Sequence, residues 1–536
     1  MEKKGLFLRE ATGLVRTLGT KEAFLINTAI LNPGVGFIYL MFALAFSPNA
    51  DATVSLLIAG VTAVFLALCY SQLVAAMPRS GGDFVFTSRL LHPLIGAMVG
   101  GAGFFVFLTV CGTNSATFGL LFLPQTFNQM GVVFNSPGLT AFGTTLATPW
   151  AAFVTTVILI VLSGYVMSLG LKRVSQVMWV LFGIGMIGFL AMLILLLTNS
   201  REQFIAAFNA ASATTPGTNA YQGILDAAKA NGFAPGVTFA GIMLAVPYCA
   251  MVYWGFTSAN YPGGELKDAS KTLMRSTLIA LGVGALLLIV AWEAVKGLVG
   301  LDFVQSQNWL AMNQADIYGG LSTAPTQPNF YASVLAGKSL VAILIPFSYL
   351  CWIAAFNLAY YVVVSRILFA MSFDRLLPEW LAETKAGNVP FNAIIVTAIG
   401  IIILAAVQVF YSGILAGIFN ATLAIAFMYL LVSIAATILP FVKPELYKAA
   451  PKVVGGEIGK VPVITIIGGL SSLFIVFIIY LAFSRPELIG PASVQALVFT
   501  VVMFGWGLVA YLIARARFKA ATGLDLNMSL KEIPPE

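Results

Sequence analysis

Two apolar stretches carry residues that a continuous helix would not choose. The first runs from Asn27 to Tyr39 and contains Asn32, Pro33, Gly34 and Gly36. The second runs from Val246 to Pro262, with Gly255 near its middle. Proline removes a helical donor and clashes with the preceding turn, and glycine tolerates non-helical backbone. Inside hydrocarbon, freed peptide groups cost several kcal/mol each unless something satisfies them, so a break there is expected to face a ligand, water or protein. The start of a half-helix offers N–H groups and about half a positive charge, which suits a carboxylate. The end of the half-helix before it offers carbonyls, which suit an ammonium. We therefore expect the N–H groups of Gly34, Val35 and Gly36 to hold a carboxylate. The carbonyls of Ile30, Leu31, Tyr253 and Trp254 are expected to hold an amine. Asn32 has two readings, adding its amide to the ligand or capping the second half-helix. Tyr253, Trp254 and Phe256 either shape the pocket or pack, and Gly255 and Thr257 complete the second break. Asn114, beside Thr113 and Ser115, and Asn357 on a later stretch either line the same pocket or bond helix to helix.

The chemistry that is missing narrows the reading. The single histidine, His92, falls in an expected loop, and Cys69, Cys111, Cys249 and Cys351 all sit in apolar runs without CxxC spacing. No metal site, cofactor or disulfide framework is expected. A membrane-embedded enzyme would need clustered acids, bases or metal ligands in its spans, and none is seen. No Lys, Arg, Asp or Glu lies near the middle of an expected span, where charges are costly and functional. Glu293 and Lys296 lie towards the end of one span and are spaced to pair. Coupling to Na+, coupling to H+ and uncoupled exchange all stay open.

The elements that must position these residues follow from composition. The chain of 536 residues is 59% hydrophobic and 9% charged, far below the roughly 25% charge of soluble domains. We expect an all-α membrane protein with about 12 transmembrane helices, near 22–46, 52–76, 94–126, 150–169, 174–199, 236–261, 272–300, 336–371, 390–411, 413–440, 461–484 and 491–514. The longest connections fall near 127–149, 200–235 and 301–335, and no soluble domain fits between spans. A polar, basic tail (1–21) precedes the first span, which serves as the insertion signal, since no cleavable leader is seen. A second tail follows at 515–536. Of the 28 Lys and Arg, all but Arg201, Lys229, Lys296, Lys338 and Arg485 fall on one side, which puts both termini in the cytoplasm of a multi-pass cell-membrane protein. The net charge of +7 is thus a topology signal; no nucleic-acid motif accompanies it. The two breaks lie five spans apart, as in a five-plus-five inverted-repeat transporter core over 22–440, with repeats about 22–199 and 236–440 and with helices 1 and 6 broken. Helices 11 and 12 occupy 461–514.

Several motifs resemble the amino acid–polyamine–organocation (APC) superfamily. Pro78-Arg-Ser-Gly-Gly-Asp-Phe84 is similar to that family's P-R-S-G-G-[DE]-[YF] segment after span two, with Gln72 where the family often has Glu. Ser365-Arg366, Ala370-Met371, Asp374 and Pro378, followed by Asn388-Val-Pro390, resemble its span-eight exit. Tyr253-Trp-Gly-Phe256 and Glu265-Leu-Lys267 resemble its sixth span and the loop after it, and Gly34-Val-Gly-Phe37 its G-S-G-[IV]-F turn. The likeness covers roughly residues 20–440.

The resemblance implies the five-plus-five fold, a pocket among spans 1, 3, 6, 8 and 10, and amino acid or amine substrates. Departures are Val35 for the turn's serine, Thr257 for an acid in span six, Asp268-Ala269 for Asn-Pro, and Gly185 where some relatives carry a span-five lysine. Without a fixed acid in the pocket, neutral, largely apolar amino acids moved by alternating access are the leading expectation. A polyamine or organic-cation carrier, or a non-transporting sensor on the same scaffold, are the alternatives. Expected partners are the substrate and the bilayer, with no nucleic acid; a partner subunit is left open.

Overall fold

Long apolar runs become helices in a bilayer because each backbone N–H must find its acceptor within its own segment. The computed structural model describes residues 13–215, 217–384, 389–411, 421–451, 454–484 and 493–532. In chain order the main helices are α1 (Thr20–Leu31), α2 (Pro33–Phe46), α3 (Ala52–Ala76), α4 (Asp83–Leu90), α5 (Pro93–Thr117), α6 (Pro149–Ser168), α7 (Leu171–Thr198), α8 (Phe239–Trp254), α9 (Ala269–Val299), α10 (Leu340–Phe373), α11 (Phe391–Phe410), α12 (Ala421–Val442), α13 (Val463–Ser484) and α14 (Ser493–Thr522). Among the described residues 11 helices are long and apolar enough to cross a membrane, or 12 with the bent pair Thr20–Phe37 and Tyr39–Phe46 taken as one crossing. This is an all-α, multi-pass membrane protein.

Large apolar side chains lie exposed at helical spacing on the outer helices. On α6 they are Val154, Ile158, Val161, Leu162 and Tyr165, and on α7 Val180, Ile187, Ile194 and Leu197. Such stripes belong against lipid. The small residues face inward. A methyl group on Gly101 of α5 would lie 2.6 Å from the Cα of Gly507 on α14, and one on Gly507 would lie 2.1 Å from the Ala97 carbonyl. Two backbones meet there, as close glycine packing requires.

The third crossing departs from expectation. It continues to Phe134, through a π-helical turn at Phe118–Phe122, where an end near 126 is expected from the sequence. The wider turn precedes Pro124 and absorbs the donor that proline lacks. The connections 200–235 and 301–335 are also partly helical, at Arg201–Ser212, Ala220–Ala230, Leu301–Asn313, Ala315–Leu321 and Pro328–Ala336. The starts of the expected spans ten (413–420) and twelve (491–492), together with Lys385, Asn388, Lys452 and Arg485, lie outside the described residues.

Both described ends of the chain meet one face. Leu18 N–H donates to the Glu265 carbonyl (3.0 Å) and Lys267 N–H to the Leu18 carbonyl (2.8 Å), while Arg89 Nε donates to the Glu532 carbonyl (3.2 Å). This termini face holds a layer of buried charge. Asp374, after α10, pairs with Arg89 at 2.6 Å and Arg79 at 3.7 Å, and Glu265 pairs with Arg366 through both oxygens at 2.8 and 3.2 Å. Arg79 also lies over the Phe373 ring. At the opposite face Lys296 meets Glu293 at 2.6 Å, the spacing expected from the sequence, and also Asp51 at 3.3 Å.

Candidate functional site

The first crossing loses its helical pattern at one residue. Asn32 has φ 18° and ψ 103°, between the end of α1 and the start of α2. Its side chain makes three bonds. Oδ1 accepts from Val35 N–H at 2.9 Å, and Nδ2 donates to the carbonyls of Ala29 (3.2 Å) and Trp352 (2.8 Å). Asn32 is thus the N-cap of α2, with proline following at the first helical position, the residue that position favours. Gly36 N–H donates to the Asn32 carbonyl at 2.7 Å. Pro33 has no N–H, so among the described hydrogen bonds the unclaimed donor of this first turn is Gly34. Beyond the turn, the segments Thr20–Phe37 and Tyr39–Phe46 meet at 49°.

The sixth crossing changes character at Gly255. α8 ends at Trp254, and Gly255–Asn260 winds as a 3-10 helix. This brings the two stretches together. A methyl on Gly255 would lie 2.2 Å from Ile30 Cγ2 and 2.9 Å from the Ile30 carbonyl carbon, and one on Gly36 would lie 3.1 Å from Val252 and 3.2 Å from the Leu31 carbonyl oxygen. Asn27 ties the same surfaces, accepting from Ala259 N–H at 2.9 Å and donating to Thr277 at 3.1 Å. The Trp254 carbonyl accepts from Thr257 (3.2 Å) and from the Tyr429 hydroxyl (3.1 Å), and these two hydroxyls share a bond of 2.9 Å. Trp254 packs edge-on against the Tyr429 ring. Phe256 is buried, as is Tyr253, whose ring lies against Gly60 of α3.

The remaining sequence candidates divide. Asn114 receives a bond from Tyr39 at 3.3 Å and gives one to the Val110 carbonyl at 2.8 Å, joining α5 to α2. Asn357 makes its described side-chain bonds to α5: its amide donates to Ser115, and Cys111 points at its two oxygens. It bonds α10 to α5. His92 caps α5 by accepting from Leu94 N–H. The four cysteines are buried and free.

Trp352 of α10 is the residue the sequence does not single out. Methyl groups built on Gly34 and on Gly185 would each fall 2.7 Å from its ring, so one indole fills the space between the first break and α7. Its carbonyl receives Asn32, and Phe182 packs on it edge-on. A lysine at position 185 has no room beside it.

The fold is that of a multi-pass membrane protein. The chain belongs to the amino acid permease family, within the APC superfamily; the family model matches residues 29–522. The chain is also 27% identical over 388 residues to the branched-chain amino acid permease BcaP of Lactococcus lactis subsp. cremoris, covering 71% of this chain and 73% of that protein. The family and this relative support amino acid transport.

Proposed function

We propose that the chain carries neutral, largely apolar amino acids across the membrane by alternating access, through a ten-helix inverted-repeat core with both termini in the cytoplasm. The substrate carboxylate sits at the start of α2, taking the Gly34 N–H first and displacing Asn32 Oδ1 from the Val35 N–H. The ammonium faces the carbonyls of Ile30, Leu31, Tyr253 and Trp254, displacing a hydroxyl of Thr257 or Tyr429 from the last. The observation that supports this reading is the packing of Gly255 against Ile30, at the end of α1, and of Gly36 against Val252, which sets the interruption of the first crossing beside that of the sixth. The absence of any acid within these two stretches favours a neutral side chain, and the name of the Lactococcus relative points the same way. In the described conformation Trp352 occupies the space at Gly34, so this indole moves or reshapes when substrate enters.

The test is uptake and exchange by purified protein in liposomes, with labelled amino acids and amines, with and without sodium and pH gradients. Branched aliphatic amino acids should be taken up and cationic ones excluded. Absence of uptake, exchange or binding across the whole panel would overturn the proposal. Gly34→Leu should abolish binding by filling the approach to the α2 amides; unchanged affinity in that variant removes the carboxylate assignment.

A further inference from the structure

From the sequence, no buried carboxylate is placed to hold a proton. The structure places one just beyond the membrane-spanning helices. Asp83 opens α4 and is 2% exposed. Its two oxygens accept from the Tyr70 hydroxyl of α3 at 2.6 Å and from the Tyr261 hydroxyl, just after the 3-10 helix of the sixth crossing, at 3.0 Å. Among the described residues no lysine, arginine or histidine forms an ion pair with it. The buried arginines of the termini face pair with other acids, Arg79 and Arg89 with Asp374 and Arg366 with Glu265. The other elements around it offer hydroxyls: Tyr429 of α12, with its ring across Tyr70 at 5.6 Å, and Tyr360 of α10, linked to Tyr261 through the Phe107 ring of α5. The short helix Asn527–Lys531 adds the exposed Lys531, followed by the exposed Glu532.

A carboxylate buried without a cation favours its neutral form. Burial outweighs the two hydroxyls and pushes the Asp83 carboxyl up to about 6. The same residue is a clasp. It joins the Pro78–Phe84 loop to the end of the sixth crossing, and Gly81 N–H donates to the Tyr261 carbonyl at 2.9 Å beside it. A cycle that opens the termini face by separating those segments would admit water to Asp83.

We propose that Asp83 is a proton-binding site of the transport cycle, holding H+ while the termini face is closed and releasing it to water as that face opens. The O–H bond of the carboxyl breaks, the carboxylate stays on Asp83, and the proton passes to solvent on that side. The sign follows from linkage. The closed form binds the proton more tightly than the open form, whose carboxyl returns towards the ordinary value near 4. Acidification through about pH 6 therefore favours closure, and alkaline pH favours opening. The link to transport rests on the permease reading above, and proton binding itself can be measured without substrate.

The experiment is infrared difference spectroscopy of the purified full chain between acid and neutral pH. The wild type should show a protonated carboxyl band titrating near pH 6. Asp83→Asn should lose it, and Glu293→Gln, on the opposite face, should keep it. Tyr261→Phe removes a donor that favours the ionised form, so its midpoint should rise; this variant also serves if Asp83→Asn folds poorly. In liposomes, movement of substrate through the opening step should change roughly tenfold between about pH 5 and 7, following the ionised fraction, and Asp83→Asn should flatten that profile. A band that survives in Asp83→Asn, a midpoint unmoved in Tyr261→Phe, or an unchanged pH profile in Asp83→Asn overturns the inference. If the band behaves as expected but no amino acid is moved or bound, the permease reading fails and the proton site stands.

Discussion

At the scale of single residues, Asn32 carries an unusual share of the site. One amide caps α2, closes on α1 through Ala29 and reaches α10 through Trp352. Replacing it by alanine removes all three bonds, and loss of the cap alone costs about 1 kcal/mol, so the variant should unfold at a lower temperature in a detergent melt. Asn32→Asp keeps an acceptor for Val35 but sets a negative charge where we place the substrate carboxylate. That variant should lose amino acid affinity more than thermal stability, which a melt paired with a binding titration separates. The Asn-Pro-Gly sequence made this break legible, because proline and a capping side chain together announce a helix start. Trp352 was not legible. It lies 320 positions from Asn32 in the chain, and an indole in an apolar run reads as ordinary packing until the two glycines it fits between are seen in space.

Between elements, the glycines of α5 show how far pattern reading reaches. Gly96, Gly100, Gly101 and Gly103 announce close approach, and the structure supplies a different neighbour for each: Ser88, Phe84 with Met371, Gly507 and Met428. The partners could not be read, since small residues specify proximity without specifying with whom. Gly507→Val would force its Cβ to within 2.1 Å of the Ala97 carbonyl. Overpacking of this kind costs roughly 1–3 kcal/mol, so α14 should separate from α5 and the melting temperature fall. Gly505, which has open space around it, should accept the same change with little effect. The extension of the third crossing from about 126 to Phe134 was not legible, because a polar stretch after Pro124 carries no hydropathy signal for more helix; the π-helical turn before Pro124 shows how the helix passes that proline.

Across the whole molecule, the number and order of crossings were plain from hydropathy, while the termini face was not. Arg79, Arg89, Arg366, Glu265 and Asp374 lie in or beside loops, and pairing with loop charges is expected from the sequence for Arg79 alone; the fold buries each of them to within a few per cent. Burial follows from loops packing on loops, which no single segment encodes. Removing one partner from such a pair costs about 3–5 kcal/mol because the other is left charged and dry. Glu265→Gln should therefore destabilise the protein by more than any exposed carboxylate substitution, and should raise the reactivity of cysteines introduced beneath that layer.

The reciprocal bonds between Leu18 and the Glu265–Lys267 strand of chain have a practical corollary. They bolt the stretch leading into α1 onto the stretch leaving the sixth crossing, so neither can swing without carrying the other. Val15, three residues upstream and half exposed, is therefore a natural seat for a fluorophore: a dye there would register each excursion of the distant loop without disturbing a single group that touches cargo.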